Sequence, residues 1–138
     1  MNAAGILLDT GPLVALLSKD DGNHARAREL FIQCVPPFRT CEAVLAEACF
    51  LMRKVHPDGP AEVMALRTRG LYNIAISIEG DASHVAAVLR KYADRPISLA
   101  DACLIRCAEI HQERRILTFD ADFDVYRWAR TRRFEILH

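Results

Sequence analysis

Short apolar runs alternate along the chain with longer segments whose apolar residues recur every three or four positions. The runs are typical of buried β-strands, and the wider spacing is typical of amphipathic helices. Strands separated by helices need crossover connections, so the pattern predicts an α/β fold in which helices flank a central parallel sheet of four or five strands. The predicted strands are residues 5–8, 73–78, 115–119 and 134–137, with a weaker one at 38–40, and the predicted helices are 12–18, 23–34, 41–55, 60–71, 81–92, 99–111 and 121–130.

Length and composition narrow the class of protein. A chain of 138 residues has the size of one domain, so we predict a single domain over residues 1–138. The 18 basic residues equal the 18 acidic residues in number, which argues against an extended nucleic-acid or membrane footprint and leaves only local basic patches. No apolar stretch is long enough to span a bilayer, and the N-terminal segment lacks the basic lead-in of a signal peptide. Five cysteines without a CxxC motif are typical of reduced core thiols, so we expect a cytoplasmic protein with no membrane partner.

Three aspartates fall where the predicted strands end. Asp9 follows the first strand, Asp120 follows the strand at 115–119, and Asp101 begins a helix reached after the strand at 73–78 and its crossover. Functional sites of parallel sheets lie beyond the carboxyl ends of the strands. We therefore expect these carboxylates to meet at one edge of the sheet.

Glu47 is a fourth candidate, because of its place in the predicted helix 41–55. It lies three residues after Val44 and four before Leu51, so it shares an apolar face with both, and we expect it on the core-facing side. A buried acid needs a partner. Glu42 lies in the first turn of the same helix, where the helix dipole alone accounts for a carboxylate.

Each aspartate also has a purely structural interpretation as a helix cap. Asp9 precedes a helix, Asp101 is three residues after Ser98 in a capping-box arrangement, and Asp120 or Asp122 precedes the last predicted helix. The combination argues for more than capping. Carboxylates from four segments that converge without a cation would repel one another, and a hard divalent ion removes that repulsion. Oxygen ligands favour Mg²⁺ or Mn²⁺ over Zn²⁺.

Four ordered motifs cover nearly the whole chain and carry a family resemblance. They are LLDTGPLVALL around Asp9, TCEAVLAEACFLM around Glu47, SLADACLI around Asp101, and LTFDADF around Asp120 and Asp122. With these motifs the chain resembles PIN-domain proteins, particularly the toxin ribonucleases of the VapC type. The resemblance implies a PIN-like fold and an acidic pocket that binds Mg²⁺ or Mn²⁺ and cleaves RNA endonucleolytically.

The resemblance also implies roles for individual residues. Asp9, Glu47, Asp101 and Asp120 would be the four catalytic and metal-binding acids, with Asp122 as a neighbouring or alternative metal ligand. Thr10, Ser98 and Thr118 would support them by orienting carboxylates or a bound water. The final acid stays open between Asp120 and Asp122. Asp120 is expected closer to the pocket, and Asp124 is expected to face solvent on the last helix.

The predicted reaction is hydrolysis of RNA by a metal-activated water, because no set of residues resembles a covalent nucleophile with its base. The resemblance implies an antitoxin partner and a homodimer, and it predicts the toxin of a toxin–antitoxin pair. The alternative is a non-toxin PIN protein that acts in RNA processing or as a scaffold for RNA or protein. Local arginine clusters are candidates for contacts with RNA phosphates. These clusters are Arg53 with Lys54, Arg67 with Arg69, and Arg127 with Arg130, Arg132 and Arg133.

Overall fold

Seven strands lie within the described residues: β1 Leu7–Leu8, β2 Phe38–Thr40, β3 Tyr72–Ile74, β4 Arg115–Leu117, β5 Arg127–Trp128, β6 Arg132–Arg133 and β7 Glu135–Leu137. Five of them form a parallel sheet at the centre of the molecule, in the strand order β3-β2-β1-β4-β7. The computed structural model describes residues 3–138. Two further short strands, β5 and β6, pair as an antiparallel hairpin beside the main sheet.

Helices connect β1 to β2, β2 to β3 and β3 to β4, as the alternating pattern predicts. The α/β fold with its central parallel sheet is therefore confirmed. Within residues 3–138, each helix is too short or too polar to span a bilayer. The helices are α1 Thr10–Leu17, α2 His24–Gln33, α3 Glu42–Val55, α4 Gly59–Thr68, α5 Ile78–Lys91 and α6 Leu99–His111, and a single 3-10 turn, η1, covers Ala121–Asp124.

Both faces of the central strand are covered. Leu7 and Leu8 of β1 point to opposite sides of the sheet, and both are fully buried. Helix α6 is buried along most of its length, which explains why its sequence is apolar nearly all round. The burial of α6 fixes Asp101, in its first turn, relative to the sheet.

The third predicted strand differs from the observed one. The sequence predicts a strand at 73–78, whereas β3 ends at Ile74 and α5 begins at Ile78. Ser77 has an extended backbone, and its carbonyl accepts hydrogen bonds from the backbone N–H groups of Gly80 and Asp81. With these bonds α5 begins at Ile78 and includes Gly80, although glycine is unfavourable inside a helix.

The predicted helix at 121–130 is wrong. Only the 3-10 turn Ala121–Asp124 forms there, followed by the β5–β6 hairpin. The Arg127 guanidinium donates hydrogen bonds to the backbone carbonyls of Asp124, Val125 and Tyr126, which terminates the turn. Ala129 and Arg130 then adopt left-handed backbone conformations, with φ of 46° and 74°, and so reverse the chain.

Candidate metal centre

Three carboxylates from distant parts of the chain meet at the carboxyl edge of the sheet. Asp9 follows β1, Asp120 follows the neighbouring strand β4, and Asp101 lies in the first turn of α6. One carboxylate oxygen from each of the three lies within 4.8 Å of the other two. The convergence expected from the strand ends is thus present in the fold.

Asp9 is a helix cap and a member of this acidic cluster at the same time. Its Oδ1 accepts a hydrogen bond of 2.8 Å from the Thr10 backbone N–H, and its Oδ2 accepts one of 2.7 Å from the Thr118 hydroxyl. A carboxylate offers about four lone-pair positions, so both oxygens keep acceptor capacity for a further ligand. Burial raises the pKa of Asp9 to about 6, against the hydrogen bonds from Thr118 and Thr10, and the charges of Asp101 and Asp120 add to the rise.

Asp101 is held from two sides. The Ser98 hydroxyl accepts a hydrogen bond of 3.0 Å from the Asp101 backbone N–H, which is the capping contact expected at the start of α6. The Tyr126 hydroxyl donates one of 3.0 Å to Asp101 Oδ2. Burial raises the pKa of Asp101, and the negative charges of Asp120 and Glu47 add to that effect.

Glu47 does not face the core. The prediction of a core-facing acid is wrong, because Glu47 is exposed and its neighbour on the helix face, Leu51, is 41% exposed. Both residues instead line the open cleft above the acidic cluster. Glu47 Oε2 accepts a hydrogen bond of 3.0 Å from the Thr10 hydroxyl, which links α3 to the segment that carries Asp9.

The acids after β4 separate into three environments. Asp120 belongs to the cluster, and its Oδ1 accepts a hydrogen bond from the Asp122 backbone N–H. Asp122 lines the same cleft, but its Oδ1 pairs with Arg95 Nη2 at 3.2 Å. Asp124 is exposed, as expected, although it lies on the 3-10 turn instead of a helix, and it lines a neighbouring cavity.

Hydroxyl groups tie the acids together. Thr118 donates to Asp9 Oδ2 and accepts from the Asp120 backbone N–H at 3.0 Å, so one buried side chain positions two carboxylates. Thr10 and Ser98 line the cleft itself. Sequence reasoning singled out all three hydroxyl residues, but it did not find Tyr126 or Arg95. Tyr126 lay inside a mispredicted helix, and Arg95 lies in a loop without a motif.

The donor set of the cleft suits a hard divalent cation. The cleft has a volume of about 600 Å³ and contains five carboxylates, those of Asp9, Glu47, Asp101, Asp120 and Asp122. Among residues 3–138, no lysine or arginine lines it. Two of these acids are more than nine-tenths buried, so their ionised forms gain little from water. A cation bound by oxygen ligands would compensate these charges.

The sequence matches the PIN-domain family over residues 6–129, which is most of the chain. The chain belongs to the PIN-domain family. The matched range contains every acid of the cleft, and the PIN-like fold predicted from the four motifs is confirmed. The resemblance to VapC-type members is confirmed as well, by the similarity to ribonuclease VapC26.

Two proteins to which this PIN domain is similar come from Mycobacterium tuberculosis. Ribonuclease VapC26 is 26% identical over 116 residues, which cover 83% of this chain and 86% of VapC26. The crystal structure of VapC20, a toxin that cleaves the sarcin-ricin loop, superposes with a TM-score of 0.76 at 22% identity. That alignment covers 88% of this chain and 94% of VapC20, which supports the fold.

Proposed function

We propose that this PIN domain is a divalent-metal-dependent endoribonuclease that hydrolyses RNA phosphodiester bonds. The observation that carries the proposal is the meeting of Asp9, Asp101 and Asp120, whose carboxylate oxygens lie within 4.8 Å of one another in an open cleft. Clustered carboxylates at the carboxyl edge of a parallel sheet are the ligands that Mg²⁺ and Mn²⁺ prefer.

In this proposal Asp9, Glu47, Asp101 and Asp120 hold the metal, and Asp122 is a neighbouring ligand. A bound Mg²⁺ or Mn²⁺ supplies Lewis-acid activation of water and neutralises charge at the scissile phosphate. Asp9 and Asp101 are the buried members, whereas Glu47 and Asp120 are exposed and lie closer to an entering substrate.

The neighbouring side chains prepare the acids for this task. Thr118 orients the Asp9 carboxylate and fixes the backbone that carries Asp120. Thr10 brings Glu47 from α3 towards the other acids. Ser98 fixes the first turn of α6 and thereby the position of Asp101. Residues that orient metal ligands in this way typically contribute 10- to 100-fold to metal affinity or activity.

We further propose that the chain is the toxin of a toxin–antitoxin pair. The support is the similarity to VapC26, named a ribonuclease, and to VapC20, named a toxin. An antitoxin and a second copy of the chain are the proposed protein partners, and exposed apolar side chains on α3, such as Phe50 and Val55, support such contacts. A cytoplasmic location and a single domain over residues 1–138 stay predictions from the sequence.

A non-toxin PIN protein in RNA processing, or a scaffold for RNA or protein, is the alternative. A scaffold has no need of a metal centre, so the retention of all the predicted acids in one cleft supports an enzyme. The neighbouring open reading frame separates toxin from processing enzyme, since a toxin of this type is expected beside a gene for its antitoxin.

Cleavage assays with the variants Glu47→Gln and Glu42→Gln test the proposal. Both residues lie on α3, but Glu47 lines the cleft and Glu42 lies in the exposed first turn. With Mn²⁺ and single-stranded or structured RNA, we expect Glu47→Gln to lower kcat by at least about 100-fold and Glu42→Gln to leave it unchanged. EDTA should abolish cleavage by the wild-type protein. Full cleavage in EDTA, or equal kcat for the two variants, would contradict the proposed metal-dependent mechanism.

A further inference from the structure

A second cavity lies directly beside the acidic cleft. It has a volume of about 460 Å³ and shares Phe119, Asp120 and Ala121 with the cleft, so the segment after β4 forms a common wall. Its other walls come from the start of α2 and from the end of the chain as described, where Asn23, Arg26 and His138 line it. The volume falls in the usual range of small-molecule sites.

The lining of this cavity differs from that of the cleft. The cleft is lined by carboxylates without a basic residue among residues 3–138. The cavity contains two carboxylates, those of Asp120 and Asp124, but it adds the guanidinium of Arg26 and the side chain of Asn23. Phe119 adds an aromatic ring on the shared wall. An aromatic ring, an amide and a guanidinium are the groups with which proteins bind bases and phosphates of single-stranded RNA.

The guanidinium of Arg26 has N–H groups without a partner among the described residues. Its Nη1 pairs with Glu29 Oε2 at 3.2 Å, and its Nη2 donates to the backbone carbonyl of His138. These contacts use two of the five N–H groups of a guanidinium. The Arg26 side chain is 48% exposed, so the remaining donors are open to a ligand in the cavity.

The side chain of Asn23 likewise makes no capping hydrogen bond among the described residues, although Asn23 stands at the N-cap position of α2. Its amide therefore remains available as a donor and an acceptor, which is the combination that reads base edges.

We propose that this cavity is a nucleotide subsite, which binds a nucleotide of single-stranded RNA adjacent to the scissile phosphate. The inference rests on the proposed ribonuclease function. RNA is a polymer, so a strand whose scissile phosphate lies at Asp120 continues to the nucleotides on either side. One of these nucleotides can enter the cavity on the other side of the wall formed by Phe119 and Ala121. Arg26 contacts the phosphate of the bound nucleotide, Phe119 stacks on its base, and Asn23 hydrogen-bonds the base edge.

The positive charge of Arg26 also reduces the electrostatic repulsion between the acidic cleft and the RNA backbone. Five carboxylates line the cleft and repel the RNA backbone, even where a metal neutralises part of their charge. Arg26 lines the cavity together with Asp120 and Asp124, so its positive charge offsets part of their negative charge and attracts an RNA phosphate next to the position of cleavage.

The chain offers matched variants for a test. Arg26 and Arg28 both lie on α2, but only Arg26 lines the cavity, and Arg28 is exposed elsewhere on the helix. Asn23 and Asn73 are both exposed, and only Asn23 lines the cavity. Arg26→Gln and Asn23→Ala are therefore compared with the controls Arg28→Gln and Asn73→Ala. Circular dichroism melting verifies that each variant folds.

The first arm measures binding without cleavage. All proteins carry Asp101→Asn, and the Kd of fluorescein-labelled oligo-U and oligo-A octamers is measured by anisotropy with Mn²⁺ present. We expect Arg26→Gln and Asn23→Ala each to raise the Kd roughly five- to ten-fold relative to the controls, as for the loss of a charge-assisted or base-edge hydrogen bond. Kd values equal to those of the controls would overturn the subsite.

The second arm measures cleavage in the background with Asp101 intact. We expect Arg26→Gln to raise KM by a similar factor and to change kcat by less than about two-fold, because the partners of Arg26 are Glu29 and His138 and not the metal-binding acids. Cleavage with an unchanged KM would reject the subsite while the ribonuclease function stands. Binding that depends on Arg26 without any metal-dependent cleavage would support the subsite and reject the proposed function.

Discussion

The Tyr126 hydroxyl donates a hydrogen bond of 3.0 Å to Oδ2 of Asp101. Tyr126 is fully buried, and its ring packs edge to face against Tyr92 and Phe123 at centroid distances of 5.0 and 5.1 Å. The donor is therefore held rigidly by its packing. The hydrogen bond fixes the rotation of the Asp101 carboxylate, which belongs to the acidic cluster. The segment after η1 therefore contributes the Tyr126 side chain to the site, although this segment carries none of the metal-binding acids.

Removing this hydroxyl should weaken the binding of metal. We expect Tyr126→Phe to raise the Kd for Mn²⁺ about ten-fold, because Asp101 loses a hydrogen bond that orients it. The measurement is isothermal titration calorimetry with Mn²⁺. Tyr92→Phe is the matched control, since the Tyr92 hydroxyl accepts a hydrogen bond of 2.8 Å from the Arg127 backbone N–H and touches no carboxylate of the cleft. Equal Kd values for the two variants would show that Tyr126 has only a packing role.

The raised pKa of Asp9 predicts how stability depends on pH in the metal-free protein. The pKa rises from 3.8 to about 6 on folding, so the folded state binds this proton more tightly than the unfolded state does. The contribution of Asp9 to the free energy of unfolding is thus fully present below pH 3.8 and is lost as the pH rises through about 6. The difference between the two pKa values corresponds to about 3 kcal/mol in the free energy of unfolding.

Comparison with Asp9→Asn isolates this contribution, because asparagine keeps the shape and the capping ability of the side chain. Urea unfolding at several pH values should show the wild-type protein losing about 2 kcal/mol relative to the variant between pH 4 and pH 7. Mn²⁺ should reverse that loss, since the ion binds the ionised carboxylate. A constant difference between the two proteins across this pH range would mean that Asp9 titrates near its unfolded value.

A buried ion pair stabilises the opposite edge of the sheet. Glu113 accepts hydrogen bonds of 2.7 Å from both Nε and Nη2 of Arg115, and the same guanidinium donates to the backbone carbonyls of Ala3 and Ala4. Burial alone would raise the pKa of Glu113, but the hydrogen bonds from the Arg115 side chain and backbone hold it below its usual value. The stabilisation is therefore present at neutral pH and is lost as the pH falls through that lowered pKa.

We expect Glu113→Gln to lower the free energy of unfolding by about 2 kcal/mol, since it breaks a bidentate pair with a nearly buried partner. Glu135→Gln is the control, because Glu135 pairs with Arg114 only at 3.9 Å and both side chains are largely exposed. Chemical denaturation at pH 7 measures both. Mn²⁺ affinity should be unchanged in either variant, because Glu113 and Arg115 lie at the start of β4 and the acids lie beyond its end.

The sheet was predictable because burial on both faces leaves a clear pattern in the sequence. Leu7 and Leu8 of β1 and Ile116 and Leu117 of β4 are fully buried, and the inner strands of a parallel sheet typically carry such apolar residues. The segment 121–130 was mispredicted as a helix because its apolar residues fit helical spacing equally well. Its turn uses left-handed Ala129 and Arg130, and neither residue type signals that conformation.

The candidate site was predictable where it depends on topology and not where it depends on packing. Asp9 and Asp120 follow adjacent strands, so their meeting is a consequence of the parallel sheet. The orientation of Glu47 was mispredicted, because the apolar face of α3 continues beyond the core onto Leu51 in the cleft. The contacts of Tyr126 with Asp101 and of Arg95 with Asp122 join residues more than twenty positions apart, and no local pattern predicts such pairs.

A titration of the metal-free protein with Mn²⁺ tests the proposed metal centre most directly. Calorimetry, or the electron paramagnetic resonance signal of free Mn²⁺, gives the number of bound ions and their Kd without any need for a substrate. We predict at least one ion for the wild-type protein, and a Kd raised by at least about 100-fold in both Asp101→Asn and Asp120→Asn, with both variants still folded. Wild-type affinity in the two variants would contradict a shared ion between α6 and the end of β4.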